Sequence, residues 1–205
     1  MRKTILLVVL LGLFVSGSVS AAKPAPSVTI RASRPVVVYG QSVTLSGAIS
    51  SHQSGETVTL LSEPFAKTAF GNLATATTTA HGIWSSVDKP TIQTTYQASW
   101  NAMTSPTVTV KVRPLIALKL VSASTGSFSV TVTGNRSFMG KYVLVERLTS
   151  SGAVILKHVT LDASSSSTFT VRMHHRTSRL RAVMPTSQAA PGYIAGMSNV
   201  VTVRH

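Results

Sequence analysis

Tyr39-Gly40-Gln41-Ser42-Val43-Thr44-Leu45-Ser46-Gly47 reads as a turn followed by an alternating strand. Glycine at position 40 admits the positive φ of a tight turn. Val43 and Leu45 then point to one face and Thr44 and Ser46 to the other, the period of a half-buried strand. Gly47 is expected to close that strand. The same pattern returns between Gly126 and Gly134, where Ser129-Val130-Thr131-Val132-Thr133 alternates in the same way. The chain therefore reads as two copies of one β unit.

Outward from this stretch, Val28 and Ile30 open a first strand. Val36 to Val38 follows Pro35, which suits a sheet edge. Val58 and Leu60 face inward on a strand that begins at Thr57. A further strand runs from Leu73 to Thr79, and Ala80-His81-Gly82 is a turn. Trp84 is expected in the core. Thr94, Tyr96, Ala98 and Trp100 share one face, and Val108, Val110 and Val112 line the last strand. About seven short strands with turn signals between them, and no helical periodicity, predict a two-sheet antiparallel sandwich.

The second copy aligns without gaps from Gly140 to Val145 on Gly55 to Leu60. Leu180 falls on Tyr96, Ala182 on Ala98, and Ser198 to Val203 on Ser105 to Val110. The connection Val112-Arg113-Pro114 is so short that the copies should lie end to end with little freedom. The expected division is a linker at 23–27, one module at 28–113 and a second at 114–205. One insertion stands out. The four residues Asn101 to Thr104 become thirteen, Pro185 to Met197, with a composition that suits a displayed loop.

The stretches Tyr39 to Gly47, Thr94 to Trp100 and Ser105 to Val112 resemble bacterial immunoglobulin-like repeat modules of secreted and cell-surface proteins. The resemblance covers nearly all of the first copy and, more loosely, the second, where Leu180 replaces the tyrosine and no core tryptophan is present. It implies an all-β fold of two tandem immunoglobulin-like antiparallel sandwiches. It also implies a spacer, adhesion or binding role with no catalytic residues.

The amino terminus reads as an export signal at 1–22. Arg2-Lys3 precedes the apolar run Ile5 to Val15, and small residues at Val19, Ala21 and Ala22 suit signal-peptidase cleavage. The apolar run is short for a membrane span, which needs roughly 20 residues. No other stretch is long enough, so no transmembrane span is expected once the signal is removed. The chain has no cysteine, so each module must hold by its core alone. The expected location is extracellular, with any retention at the envelope non-covalent.

Charge is the strongest compositional signal: 19 Lys and Arg against 5 Asp and Glu, a net +14. Residues 23–113 hold seven basic and three acidic side chains; residues 114–205 hold ten and two. Such a surface attracts anionic polymers with strong salt dependence. The expected partner is an anionic wall polymer or polysaccharide. Specific nucleic-acid recognition is not expected, because no aromatic side chains interleave the cations.

The same composition argues against catalysis. The five acids, Glu56, Glu63, Asp88, Glu146 and Asp162, read as solvated surface groups rather than paired carboxylates. His81 and Asp88 read as turn residues rather than a dyad, and there is no Gly-x-Ser-x-Gly nucleophile elbow. His174-His175 would point to opposite faces of a strand and so make no chelate. No metal or cofactor is expected, and the chain is expected to be a monomer.

The one positive site candidate is the stretch from Arg172 to Arg181. Leu180 and Ala182 should face the core, which turns Arg179 and Arg181 outward beside Arg172 and Arg176. Lys141 and Arg204 are expected to extend the patch. Guanidinium forks suit phosphate and carboxylate groups. The function expected is a non-catalytic structural, adhesion or binding unit. The alternative is a polyanion- or carbohydrate-binding module that assists a separate enzyme.

Overall fold

The computed structural model describes residues 25–172 and 177–204. The export signal and the first two residues of the linker lie outside the described residues.

Two antiparallel β-sandwiches follow one another along the chain. In the first, one sheet runs in the order β1 (Arg31–Ala32), β3 (Val43–Ala48), β6 (Ile83–Asp88). The facing sheet runs β2 (Val36–Val38), β9 (Val108–Arg113), β7 (Thr94–Trp100), β4 (Thr57–Pro64), β5 (Gly71–Thr77). The short β8 (Met103–Thr104) pairs with the end of β7. The edge strand β2 lies parallel to β9, so the Pro35 edge expectation is met. The second sandwich repeats the plan. Its sheets are β10 (Leu115–Ser122), β11 (Ser127–Thr133), β14 (Ser166–Thr170) and β13 (Gly152–Thr160), β12 (Tyr142–Thr149), β15 (Thr177–Met184). Beyond β15 lie β16 (Gly196–Met197) and β17 (Val201–Arg204). Among the described residues no strand ladder joins the halves.

The repeat is visible in backbone chemistry. Gly55 and Gly140 both take a left-handed φ, +83° and +73°, just before the equivalent strands β4 and β12. Their N–H groups donate to Thr78 and Leu161 respectively. Ser105 and Ser198 act identically: each hydroxyl accepts from a strand N–H, of Ala98 or Ala182, at 2.9 Å. Each then donates to the carbonyl of the next residue.

Alternation places the core as expected: Val43, Leu45, Val58, Leu60, Tyr96 and Ala98 are all buried, as are Leu180 and Ala182. Two readings change. The strand β3 continues through Gly47 to Ala48, with Gly47 opposite Trp84 in register. A side chain there would strike the Thr29 carbonyl at 1.9 Å and the Trp84 ring at 2.8 Å. Gly47 is therefore needed to seat the indole, not to end the strand. The acids are not idle surface groups either. Asp88, at the end of β6, accepts from the buried Tyr96 hydroxyl at 2.6 Å. Asp162 accepts from Ser164 and Ser166 and fixes the turn before β14.

The largest correction concerns the insertion. Pro185 to Met197 is not a displayed loop; it folds back to join the halves. It forms the short helix α1 (Thr186–Ala189) and then runs along the first sandwich. The Tyr193 hydroxyl donates to the Thr91 carbonyl at 2.5 Å and accepts from the Asn135 N–H at 2.6 Å. Gln93 N–H donates to Gly192 O, Ile194 N–H to Val112 O, and the Arg113 guanidinium to Ala195 O. Gly192 has φ +81° and lies so close to Ile92 that a side chain would meet it at 2.6 Å. Arg136 lies over the rings of Phe138 and Tyr193, at 5.1 and 5.9 Å, and donates to the Ala189 and Ala190 carbonyls. The buried apolar side chains of both halves form one contiguous cluster.

Replacing fully buried Trp84 by Ala should cost about 3–5 kcal/mol, a large part of the ~5–15 kcal/mol a domain has. A urea midpoint that does not move would contradict that burial. Alkali supplies a second check. Burial, then the hydrogen bond to Asp88 and its charge, push the Tyr96 phenol far above its ordinary value. Burial pushes Tyr193 up as well. Raised folded-state values favour the neutral phenols, so this stability is present below about pH 10 and is lost as pH rises beyond it. A phenolate difference spectrum, compared with Tyr96→Phe, should show Tyr96 ionising only as the fold is lost.

Candidate functional site

Strand direction sets two poles. β9 reaches the junction at Arg113, and β7 runs antiparallel to it, so Trp100 and the start of β4 lie at the far end of the first sandwich. β15 ends at Met184 beside the junction, so Thr177 and Arg179 lie at the far end of the second.

Arg172 and Arg179 are exposed at this second far end. Arg204 on β17 is also exposed, paired across from Thr177 and diagonal to Arg179. Arg147, at the end of β12 and opposite Leu180, lies at the same pole. Arg176 and the pair His174-His175 lie outside the described residues.

Arg181 departs from the expected patch. Its Nε donates to Glu146 Oε2 at 2.8 Å, and the two side chains are only 30% and 13% exposed. The pair sits in register across β12 and β15. Arg181 thus neutralises a half-buried carboxylate and is not available as a free cation. Lys141 also drops out: it precedes β12 at the junction end, opposite the pole of Arg204. The exposed cations at this pole are Arg172, Arg179 and Arg204; Arg147, in register with the buried Leu180, lies on the other face of the strand pair from Arg179.

At the other pole lies a groove of about 580 Å³ between Pro26, Ser50, Ser51, Glu56, Trp100 and Asn101. Glu56 is its centre. One carboxylate oxygen accepts from Trp100 Nε1 at 2.6 Å and the other from Ser51 Oγ at 2.7 Å. Thr78, itself buried, fixes the backbone of Glu56: its hydroxyl accepts from Glu56 N–H at 2.9 Å and its own N–H donates to Glu56 O. Sequence reasoning passed over this groove because Glu56 looked like a loop acid and because Trp100, a buried core residue as expected, gives no local sign that its indole N–H reaches Glu56. The usable signal was the departure within the repeat, Glu56 and Trp100 against Lys141 and Met184.

Among the described residues, no three His, Asp or Glu side chains cluster as metal ligands. No helix there is long and apolar enough to cross a membrane.

No protein-family model matches the chain, and no curated protein matches it. A solved structure, the crystal structure of a tetra-tandem repeat in the extending region of a large adhesion protein, is similar at 17% identity and a TM-score of 0.39. The match covers 87% of this chain and 49% of that one, so this chain spans about half the length of that structure.

Arg181→Ser should destabilise the protein by about 1–2 kcal/mol, because it strands Glu146 half-buried without its cation. Arg179→Ser should stay within about 0.5 kcal/mol of the parent. Urea denaturation of both variants checks the assignment; equal effects would contradict it.

Proposed function

We propose that the chain is an exported, non-catalytic envelope protein. In this reading it is built of two tandem modules of the bacterial immunoglobulin-like repeat kind and serves a structural or adhesion role. The observation that carries the reading is the junction. The segment from Pro185 to Met197 ties the second sandwich to Thr91, Gln93, Val112 and Arg113 of the first. Such a joint holds two chemically different poles at fixed separation, which is what a spacer that presents surfaces requires. The fate of the acids supports a non-catalytic role. Glu56, Asp88, Glu146 and Asp162 each accept hydrogen bonds from structural donors, which leaves them poorly placed to act as a catalytic pair. The test is fractionation of producing cells. The protein should appear in the envelope fraction with its amino terminus at Ala22 or Lys23, and high salt should release it. Recovery from the cytosol with residue 1 intact would overturn the reading.

A second reading, binding of an anionic wall polymer or polysaccharide, is favoured by the exposed Arg172, Arg179 and Arg204 at one pole. Each such contact releases counterions, so retention on heparin should fall steeply with salt. Changing Arg172, Arg179 and Arg204 together to Ser should lower the salt slope by roughly one unit per arginine. It should leave the urea midpoint nearly unchanged, because the side chains are exposed. Elution of this variant at the parent salt concentration would count against the pole.

A further inference from the structure

The two copies present the same pole to different surroundings, and its chemistry changes accordingly. In the second sandwich this pole faces the first, and the segment from Pro185 to Met197 closes it. Leu161 and Met184, at 2% and 0% exposure, line that closed pole. The repeat places them on Thr78 and Trp100, and places Lys141 on Glu56. In the first sandwich the four-residue connection Asn101 to Thr104 closes nothing, and the pole carries the groove around Glu56. Where the second copy has a covered pole lined by Leu161 and Met184, the first has a polar cleft with a positioned carboxylate.

The available hydrogen-bonding capacity narrows the ligand. A carboxylate offers about four lone-pair sites. Trp100 and Ser51 occupy one on each oxygen, so each oxygen keeps acceptor capacity toward the groove. Asn101, on the rim, adds an amide with both donors and an acceptor. The volume lies within the range of small-ligand sites. An anionic ligand is disfavoured, because among the described residues the pole-forming segments 25–29, 50–56, 79–83 and 101–106 hold Glu56 and no Lys or Arg. A cationic ligand is disfavoured by the field of a chain whose net charge is +14. What remains is a neutral ligand rich in hydroxyl donors. We propose that the Glu56–Trp100–Asn101 groove is a binding site for a neutral saccharide, separate from the arginine pole.

The test uses protein lacking residues 1–22. It is titrated with the neutral tetramer of N-acetylglucosamine and with cellotetraose, followed by tryptophan emission and by amide shifts of Glu56 and Asn101. Trp84 is fully buried, so a change in emission on binding reports Trp100. Saturable binding of at least one tetramer at millimolar concentration is expected. Affinity should be insensitive to salt and unchanged in the Arg172, Arg179, Arg204 triple Ser variant. Glu56→Gln should weaken binding about ten-fold, by the loss of one charge-assisted bond. Because Glu56→Gln also touches Trp100 and Ser51, Asn101→Gly is the second variant. Asn101 has φ +48°, which glycine accepts without strain, so the fold is kept while the amide is lost. It should weaken binding several-fold. No saturable binding of either tetramer overturns the proposal. So does binding that Asn101→Gly leaves intact, or binding that collapses with salt, which would assign it to the arginine pole.

Discussion

The phenol of Tyr193 holds the two halves of this protein in register. It donates to the Thr91 carbonyl of the first sandwich and accepts from the Asn135 N–H of the second. Its ring packs edge-on against Phe138, and Arg136 lies over both rings. Gly134 packs closely beside it: a side chain there would come within 3.0 Å of both Phe138 and the Tyr193 hydroxyl and press on them. These groups come from three separate connections, at Thr91, at Gly134 to Phe138 and at Tyr193, so the joint depends on all three being formed. Without it, Val112 to Pro114 would be a short flexible link between two marginal sandwiches that have no disulfide to hold them.

How much of this could be read from the sequence follows from the range of the physics involved. Strand alternation is local, and it placed Val43, Leu45, Tyr96, Ala98, Leu180 and Ala182 in the core. Glycine conformation is local too, and the match of Gly55 to Gly140 survives as a shared left-handed φ. The insertion was misread because Pro, Gly and polar residues look alike in a displayed loop and in one that folds back. What distinguishes them is a partner some hundred positions away, Thr91 for Tyr193, which no local window contains. Gly47 was misread for the same reason: its role is set by the Thr29 carbonyl and by Trp84 on the adjacent strand β6, not by its neighbours in sequence.

The arginine patch was half legible. Alternation correctly turned Arg179 and Arg181 to the outer face, but it says nothing about what lies opposite. Register across β12 sets Glu146 against Arg181 and takes that cation out of the patch. Register across β17 sets Arg204, expected to extend the patch, at the same pole as Arg179. The general lesson lies in the scarcity of carboxylates. In a chain with five acids, those near a buried donor are held by it, as Asp88 is by Tyr96 and Glu56 by Trp100. Unpaired positive charge then collects wherever no acid is at hand.

That sorting gives the molecule its polarity. The second sandwich leaves its unpaired arginines at the end remote from the joint, while the first leaves one engaged carboxylate at the opposite end. Duplication alone would have made both ends alike. The difference lies at the internal pole, where Lys141, Leu161 and Met184 stand at the positions of Glu56, Thr78 and Trp100 and the connecting segment has thirteen residues against four. Covering a polar cleft with a neighbouring module would strand its donors and acceptors, and the pole that the joint covers is the one lined by Leu161 and Met184. The polar cleft stands at the pole that the joint does not cover. The long connection thus goes with Leu161 and Met184 at the joined end and the short one with Thr78 and the Trp100 indole N–H at the open end, so connection length and side-chain polarity together distinguish the two ends of the repeated unit.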